Sequence, residues 1–414
     1  MKILIFEDQG FKNLFPLTML RPTYDLRIGA NTILQRIESI VKDKSDVVLH
    51  CRNSLLAYMR EVHKNKINEI TKDDYLLLNG RVIFTADTLK YLLSKKEKNT
   101  SYYLNNELTA ASITKDKIVI LAEMIENNLL PDELFDSLKH RKVFLDKDFH
   151  LTIIKYPWDI INYVLQGGLS EDLQYFTKNN NSAKFKVRDN FINPKKISIS
   201  ESVNIYPEVV LDASDGVIMI KENTIIEPFT FIKGPVYIGK NCLIKSGTKI
   251  YGPCVIGEYS RASGEIAESV FHSYVNKQHD GFVGHSYICP FVNLGADTVT
   301  SDLKNNYSKV RMMSDKNNVD TDMQLLGSII GDHSKTSVNT MLNTGSSIGI
   351  FSNLFGGGFH SKEIDNFSWN EAGKKSERFN IDKAIETAKI VMYRRGIKMS
   401  KAYELMVRNY SNKE

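Results

Sequence analysis

Residues 261–311 concentrate the side chains of this chain that could carry out acid–base chemistry. Three of the nine histidines, His272, His279 and His285, lie in this segment together with lysines, arginines, asparagines and Asp302. A histidine titrates near neutral pH and can act as a general base. Acyl transfer to an amine needs such a base, cations for a phosphorylated substrate and donors for the tetrahedral oxyanion. The composition of the segment therefore favours acyl transfer.

Two other interpretations of these histidines stay open. With Asp302 they could hold zinc, although the positions 272, 279 and 285 match no compact zinc motif. Any one of them could instead be a packing residue with no part in chemistry. The four cysteines, at positions 51, 242, 254 and 289, also lack metal-ligand spacing, so we expect no metal site and a reduced protein.

A six-residue repeat surrounds the segment and must position it. Seven isoleucines lie six residues apart, at Ile220, Ile226, Ile232, Ile238, Ile244, Ile250 and Ile256. The period returns at Ile330, Thr336, Leu342, Ile348 and Leu354. A fixed period of six predicts a left-handed parallel β-helix of hexapeptide repeats. The aliphatic row fills the interior of such a coil, so chemistry is expected on loops or in clefts between subunits.

The period fails at 262–281 and in the polar stretch 301–322, and the run Gly356–Gly358 is expected to end the coil. Triangular coils pack flank to flank, so we predict a homotrimer. Two amphipathic helices, about Ile381–Tyr393 and Ser400–Arg408, are expected to close the chain.

The first part of the chain alternates between short apolar runs and amphipathic segments, which predicts an α/β domain with a parallel sheet and crossover helices. The predicted strands are Lys2–Phe6, Val47–His50, Tyr75–Leu78, Val143–Leu145 and Leu151–Ile154, with helices at Ala30–Val41, Ile118–Asn127 and about Pro157–Leu165. A polar stretch at Thr177–Ser182 is typical of a linker. We therefore expect an α/β domain at 1–180, the coil at 185–360 and a helical tail at 361–414.

Charge and hydropathy limit the classes of partner that the chain could bind. The chain has 414 residues and a net charge of +5, and residues 371–414 carry 11 Lys and Arg against 6 Asp and Glu. The remainder is near neutral, so we expect no nucleic-acid partner. The basic tail is either a solvated face or a phosphate site. No apolar run approaches the ~20 residues of a membrane span. The acidic start lacks signal-peptide character, so we expect a cytoplasmic protein without a membrane partner.

Lys277–His285 and Val292–Ala296 together resemble the acetyltransferase motif of the bifunctional N-acetylglucosamine-1-phosphate uridyltransferase/glucosamine-1-phosphate acetyltransferases. The resemblance is strongest over residues 185–355. It implies that His279 is the catalytic base and that Asn293 binds an amino sugar.

The resemblance implies further contacts, with departures. Phe282 takes the place of a substrate-contacting tyrosine, and Asp302 that of a second asparagine. The candidates for the sugar phosphate are Arg261 and Lys277. For acetyl-CoA, the acyl donor of that family, Ser328 matches a small polar residue near the acetyl group, and Ser346 is a second candidate. The basic tail, independently of the resemblance, offers Arg394 and Arg395 for the CoA phosphates.

The turn Phe15–Thr18, placed after the first strand, resembles sugar-nucleotide pyrophosphorylases, whose domain is Rossmann-like. The resemblance implies a nucleotide-phosphate loop, for which our candidates are Gly10, Lys12, Arg21 and Arg27. Mg²⁺ is the ion that this activity would use. However, Asn79-Gly80-Arg81 stands where that family has a metal-binding aspartate, and neither Asn nor Arg is a good Mg²⁺ ligand there.

The predicted function is CoA-dependent acyl transfer to an amino-sugar phosphate, with a divergent sugar-1-phosphate nucleotidylyltransferase domain. Two alternatives stay open: nucleotidylyl transfer as the main activity, and an assembly protein that binds nucleotide sugars without turnover. The expected ligands are a sugar phosphate and a nucleoside triphosphate or nucleotide sugar.

Overall fold

The chain builds an α/β region, then a three-walled coil, then two helices that pack back against the coil. The computed structural model describes residues 1–41, 43–95, 97–126, 141–145, 151–179, 189–314 and 317–412. The predicted fold class is confirmed. The second half of the predicted linker, residues 180–182, lies outside the described residues, and its first half belongs to the helix Leu169–Asn179. Within them no helix is both long and apolar enough to cross a bilayer.

The α/β region contains a seven-stranded sheet. In spatial order its strands are Lys66–Ile67, Val47–Leu49, Lys2–Phe6, Tyr75–Asn79, Glu107–Ile113, Thr100–Leu104 and Arg141–Phe144. The first four are parallel, but Glu107–Ile113 is antiparallel to both of its neighbours. The sheet is therefore mixed, a correction to the prediction of a parallel sheet. The cause is a tight hairpin at Asn105 and Asn106, whose φ angles are 49° and 63°.

Helices cover this sheet. They are Ile33–Ile40, Asn53–Val62, Ala86–Ser94, Ile118–Glu126, Pro157–Tyr163 and Leu169–Asn179. The first helix begins after Thr32, later than predicted, because Thr32 and Gln35 form a capping box that fixes its start. Leu151–Ile153 pairs with Val82–Phe84 in a separate small sheet rather than joining the main one.

Three parallel sheets form the walls of the coil. The first wall contains Phe191–Ile192, Val210–Asp212, Phe231–Lys233, Lys249–Tyr251, Glu265–Ala267 and Phe282–Gly284. The second contains Ile197–Ile199, Ile218–Ile220, Val236–Ile238, Cys254–Ile256, Val270–Phe271, Tyr287–Ile288, Ser328–Ile330, Ser346–Ile348 and Glu363–Ile364. The third contains Asn204–Ile205, Ile225–Ile226, Leu243–Ile244, Arg261–Ala262 and Asn276–Lys277, followed after a gap by Lys335–Thr336, Asn353–Phe355 and Ser368–Glu371.

The predicted isoleucine spine is the interior of this coil. All seven isoleucines are 0% exposed, and each contributes about 1.5–3 kcal/mol of burial free energy. Cys242 and Cys254 are buried beside them, and all four cysteines are free. The interior is thus filled by the repeat, as predicted.

One corner of the coil carries a stack of aromatic rings. Its members are Tyr259, Tyr274, Phe291, His333, Phe351 and Phe367, each with a positive φ at a turn between the second and third walls. The phenol of Tyr403 lies 2.9 Å from Nε2 of His333. Tyr403 belongs to the tail helix Lys401–Ser411, so this stack fixes the helical tail to the coil.

Two features differ from the predicted course of the coil. The polar stretch after residue 301 includes an antiparallel hairpin, Arg311–Ser314 with Asn317–Asp320. The glycine run at 356–358 does not end the coil, because Glu363–Ile364 and Ser368–Glu371 add to its walls beyond residue 360. The tail helices then follow as Ile381–Tyr393 and Lys401–Ser411.

Candidate functional site

Four polar residues form a column on the third wall. Backbone pairing aligns Arg261 with Asn276, Asn276 with Asn293, and Asn293 with Lys335. Successive coils rise by about 4.8 Å, so these side chains lie one above the other on the outer face. The amide of Asn276 donates to Oδ1 of Asn293 at 2.6 Å, which links the middle of the column.

The end of the first tail helix lies over this column. Arg394 caps the helix Ile381–Tyr393, and Nη2 of Arg395 donates to Oδ1 of Asn276 at 2.9 Å. The two elements enclose a cavity of about 190 Å³, which we call the basic cleft. Its lining residues are Arg261, Tyr274, Asn276, Gln278, Phe291, Asn293, Lys335, Val391, Arg394 and Arg395.

The basic cleft holds four cations and no carboxylate among its lining residues. Burial lowers the pKa of Lys335 to about 8, and among the described residues its ammonium donates only to the carbonyl of His333, at 2.8 Å. Burial, together with Arg261 and Arg394, lowers the pKa of Arg395 to about 10. Desolvation is the main cause of both shifts, and neighbouring positive charge adds to it at Arg395.

His279 lies immediately after Gln278, one of the cleft residues. Its side chain is exposed, and its ring has no hydrogen-bond partner in the part of the chain that the structure describes. The ammonium of Lys277 donates to the carbonyl oxygen of His279 at 2.8 Å and thereby holds the turn. A freely accessible imidazole beside a cationic cleft is suited to accept a proton from a bound amine.

Lys277 lies inside the coil and does not face the basic cleft. It is 1% exposed and occupies the interior row of the third wall, between Ala262 and Leu294. Burial lowers its pKa to about 8, although Asp280 and Asp297 oppose the shift. In this conformation its ammonium is not available to a sugar phosphate.

Asp302 pairs with His285 instead of joining the cleft. Oδ2 of Asp302 lies 2.8 Å from Nδ1 of His285, and Glu268 lies 2.7 Å from Nε2. Burial alone would lower the pKa of His285, but hydrogen bonds to the two carboxylates raise it to about 9. Phe282 lies beside this cluster, since a Cβ on Gly284 would collide with both Asp302 and Phe282.

The two serines predicted to contact CoA lie in the second wall of the coil. Ser328 and Ser346 are paired in register, and both are buried. The hydroxyl of Ser346 donates to the carbonyl of Asn343 at 2.7 Å, whereas that of Ser328 has no partner within the described residues. Neither lines the basic cleft, so the structure separates them from Arg394 and Arg395.

The predicted nucleotide loop is occupied by an internal ion-pair network. Gly10 and Lys12 lie in the short helix Gln9–Leu14, and Lys12 is exposed. Arg81 packs against Gly10, where any Cβ would collide with its guanidinium. Arg81 also pairs with Asp8 at 2.5 Å and with Glu107 at 2.9 Å.

Arg21 and Arg27 do not face that loop. Both are buried against the coil, Arg21 in an ion pair with Asp332 and Arg27 in an ion pair with Glu258. The hydroxyl of Tyr287 also lies 3.1 Å from the backbone nitrogen of Arg27. These two arginines join the α/β region to the coil, so the structure does not bring the four nucleotide candidates together.

The described residues do not fit a Mg²⁺ ion near this loop. Mg²⁺ requires oxygen ligands in near-octahedral geometry, usually including a free carboxylate. The carboxylate of Glu7 is bonded to Arg52 at 2.5 Å, and that of Asp8 is bonded to Arg81. No group of three or more His, Cys, Asp or Glu suitable for a metal occurs in the described part of the chain.

Sequence reasoning missed Lys335 and Asn276. Both belong to the outward position just before the interior row, the position that Arg261 and Asn293 also occupy. The six-residue register could have shown this, because Thr336 was recognised as an interior residue and Lys335 precedes it. Of the predicted residues, the structure brings together Arg261, Asn293, Arg394 and Arg395, next to the turn of His279.

Comparison with known families agrees with these two regions. Residues 3–181 match the family model described as sugar nucleotidyl transferase. Residues 218–252 match the model for bacterial transferase hexapeptide, six repeats. The chain thus carries a region similar to sugar nucleotidyl transferases, followed by repeats similar to those of bacterial hexapeptide transferases.

Individual relatives are distant. The bifunctional sugar-1-phosphate nucleotidylyltransferase/acetyltransferase of Sulfurisphaera tokodaii is 29% identical over 103 residues, 25% of this chain and 26% of that protein. The bifunctional protein GlmU of Methanocaldococcus jannaschii is 25% identical over 84% of this chain and 91% of its own length. Among solved structures, the UDP-N-acetylglucosamine acyltransferase of Francisella novicida is 13% identical, with a TM-score of 0.23 over 55% of this chain and 87% of its own.

Proposed function

We propose that the coil transfers an acyl group from acetyl-CoA to the amino group of an amino-sugar phosphate, with His279 as general base. The observation that carries this proposal is that His279, exposed and unpaired within the described residues, directly follows Gln278, which lines a cleft with four cations. The name of the Sulfurisphaera tokodaii relative, a bifunctional sugar-1-phosphate nucleotidylyltransferase/acetyltransferase, supports acetyl transfer.

The reaction follows from these groups. The neutral amine attacks the thioester carbonyl carbon, a C–N bond forms, and His279 accepts the proton that the nitrogen loses. The C–S bond then breaks, and the departing thiolate of CoA takes that proton. The cationic cleft holds a phosphate of a substrate, so that the amine and the thioester meet beside the imidazole.

We further propose that the working form is a homotrimer in which a neighbouring coil closes the site. His279 is exposed in the single chain, and an acyl-transfer site must exclude water from the thioester. A flank of a second coil would provide that cover. Acetyl-CoA would then lie between two subunits.

The test is release of free thiol from acetyl-CoA in the presence of glucosamine 1-phosphate. We expect His279→Gln to lower kcat by about 10²- to 10⁴-fold, the usual contribution of a general base. Its melting temperature should equal that of wild type, because the ring makes no hydrogen bond within the described residues. Equal turnover by the variant and wild type would remove His279 from the mechanism.

A second activity, transfer of a nucleotidyl group to a sugar 1-phosphate, is favoured by the family match over residues 3–181. The ion pairs of Arg81 with Asp8 and Glu107 must then open or contribute to phosphate binding. Pyrophosphate release with a panel of nucleoside triphosphates and sugar 1-phosphates, with and without Mg²⁺, tests it. Binding of nucleotide sugars without pyrophosphate release would support the non-catalytic alternative.

A further inference from the structure

The basic cleft carries positive charge that no carboxylate among its lining residues neutralises. Arg261, Lys335, Arg394 and Arg395 converge there from two separate elements, the third wall and the end of a tail helix. None of the four has an ion-pair partner within the described ranges. Like charges brought together away from bulk water destabilise a folded protein unless a counter-charge is bound.

The polar groups of the cleft surround an open cavity. Asn276 and Asn293 are bonded together, and Asn276 also accepts from Arg395, so the amides brace the cations from one side. The cavity of about 190 Å³ is well above the ~15 Å³ that a single water requires. A polyatomic anion therefore has room between the column and the helix.

We propose that the basic cleft is a phosphoryl-binding site formed jointly by the coil and the C-terminal helix, with Lys335 as a binding residue that the sequence resemblance does not indicate. Guanidinium groups bind phosphate oxygens in bidentate fashion, and an ammonium adds a point charge. This inference rests on the proposed acyl transfer for its biological role, but the binding itself does not depend on it.

Two substrates of the proposed reaction carry such a group: the sugar 1-phosphate, and the ribose 3′-phosphate of CoA. The shared chemistry is a phosphate monoester dianion. A pair of comparisons distinguishes them, CoA with 3′-dephospho-CoA and glucosamine 1-phosphate with glucosamine. Whichever phosphate occupies the cleft, its removal should weaken binding to wild type by at least tenfold.

The experiment is calorimetric titration and thermal shift of the full chain with inorganic phosphate and these four compounds. Lys335→Met and Arg395→Gln should each weaken phosphate binding at least tenfold and abolish the preference for the phosphorylated partner in one pair. Lys335→Met should also leave the ligand-free melting temperature equal or higher, because it removes a buried charge without a partner. A Lys335 that served only structure would instead lower it.

The matched control is Lys398→Met, which removes the same charge from an exposed position near the same helix end. It should bind phosphate as wild type does. The inference is overturned if both cleft variants bind phosphate as tightly as wild type, or if neither pair shows a preference for the phosphorylated compound. His279→Gln separates the two proposals: it should bind phosphate normally, so its unchanged turnover would count against acyl transfer alone.

Discussion

At the scale of single residues, His285 is a histidine whose role is structural and not catalytic. It sits at a corner of the coil with a φ of 43° and lies between Asp302 and Glu268. A histidine held between two carboxylates and protonated at neutral pH is a poor base. His279, with no such partner in the described residues, is the better candidate.

The His285 cluster predicts a pH dependence of stability. The folded-state pKa of about 9 lies above the ordinary value of 6.5, so the folded protein binds more protons between these values. The stabilisation is complete below pH 6.5 and is lost as the pH rises through 9, a change on the order of 3 kcal/mol. Urea denaturation of wild type and His285→Gln at several pH values measures the difference.

Buried lysines titrate in the same range with the opposite sign, so the comparison must be between variants. Lys277 and Lys335 have lowered pKa values and gain stability as the pH rises. His360→Gln is the matched control, because His360 is buried but its Nδ1 faces the amide oxygen of Asn370 rather than a carboxylate. A wild-type profile parallel to that of His285→Gln would contradict the assignment.

Sequence reasoning at this scale identified residues but not their neighbours. Residue types and a motif were enough to select His279, Asn293 and Arg261. They could not show that Lys277 points inward, because the interior row fails in that segment and the register has to be counted across it. Nor could they show that Asp302 meets His285, since that contact depends on how a loop between coils folds.

At the scale of elements, the six-residue period of the isoleucine row was sufficient to predict the coil. The same period did not predict where the coil ends. Gly356–Gly358 forms a turn, and the strands after it continue two walls of the coil. The antiparallel strand of the α/β sheet depends on the Asn105–Asn106 hairpin. Only two residues mark this turn in the sequence. Both features, the end of the coil and the strand directions of the sheet, are therefore set by tertiary pairing and not by the local sequence pattern.

The ion pair between Arg21 and Asp332 fixes the α/β region to the coil. Both side chains are buried, and Arg21 also donates to the carbonyl of Leu17 at 2.7 Å. Removing one partner would leave a buried charge, so Arg21→Met and Asp332→Asn should each lower the free energy of unfolding by about 3–5 kcal/mol. The double variant should lose much less than the sum.

Chemical denaturation of the full chain completes this cycle. The exposed pair of Lys2 and Asp73 provides the comparison, and Lys2→Met should change stability by no more than about 1 kcal/mol. Additive losses at Arg21 and Asp332 would mean that the two charges are not coupled. In that case the nucleotide candidate Arg21 would be free for another role.

At the scale of the whole molecule, the coil and the elements packed around it have different roles. The coil has a filled interior, so its chemistry is confined to the outer column and the turn of His279. The helical tail completes the basic cleft, and the α/β region is held by buried ion pairs. The central claim is that this outer surface, closed by a neighbouring subunit, is the acyl-transfer site.

A crystal structure of the full chain soaked with acetyl-CoA tests that claim most directly. We expect three coils packed flank to flank, the thioester carbonyl carbon beside the imidazole of His279, and the pantetheine running between two subunits. Density for acetyl-CoA away from His279, or for a chain whose His279 lies far from any neighbouring subunit, would contradict the account.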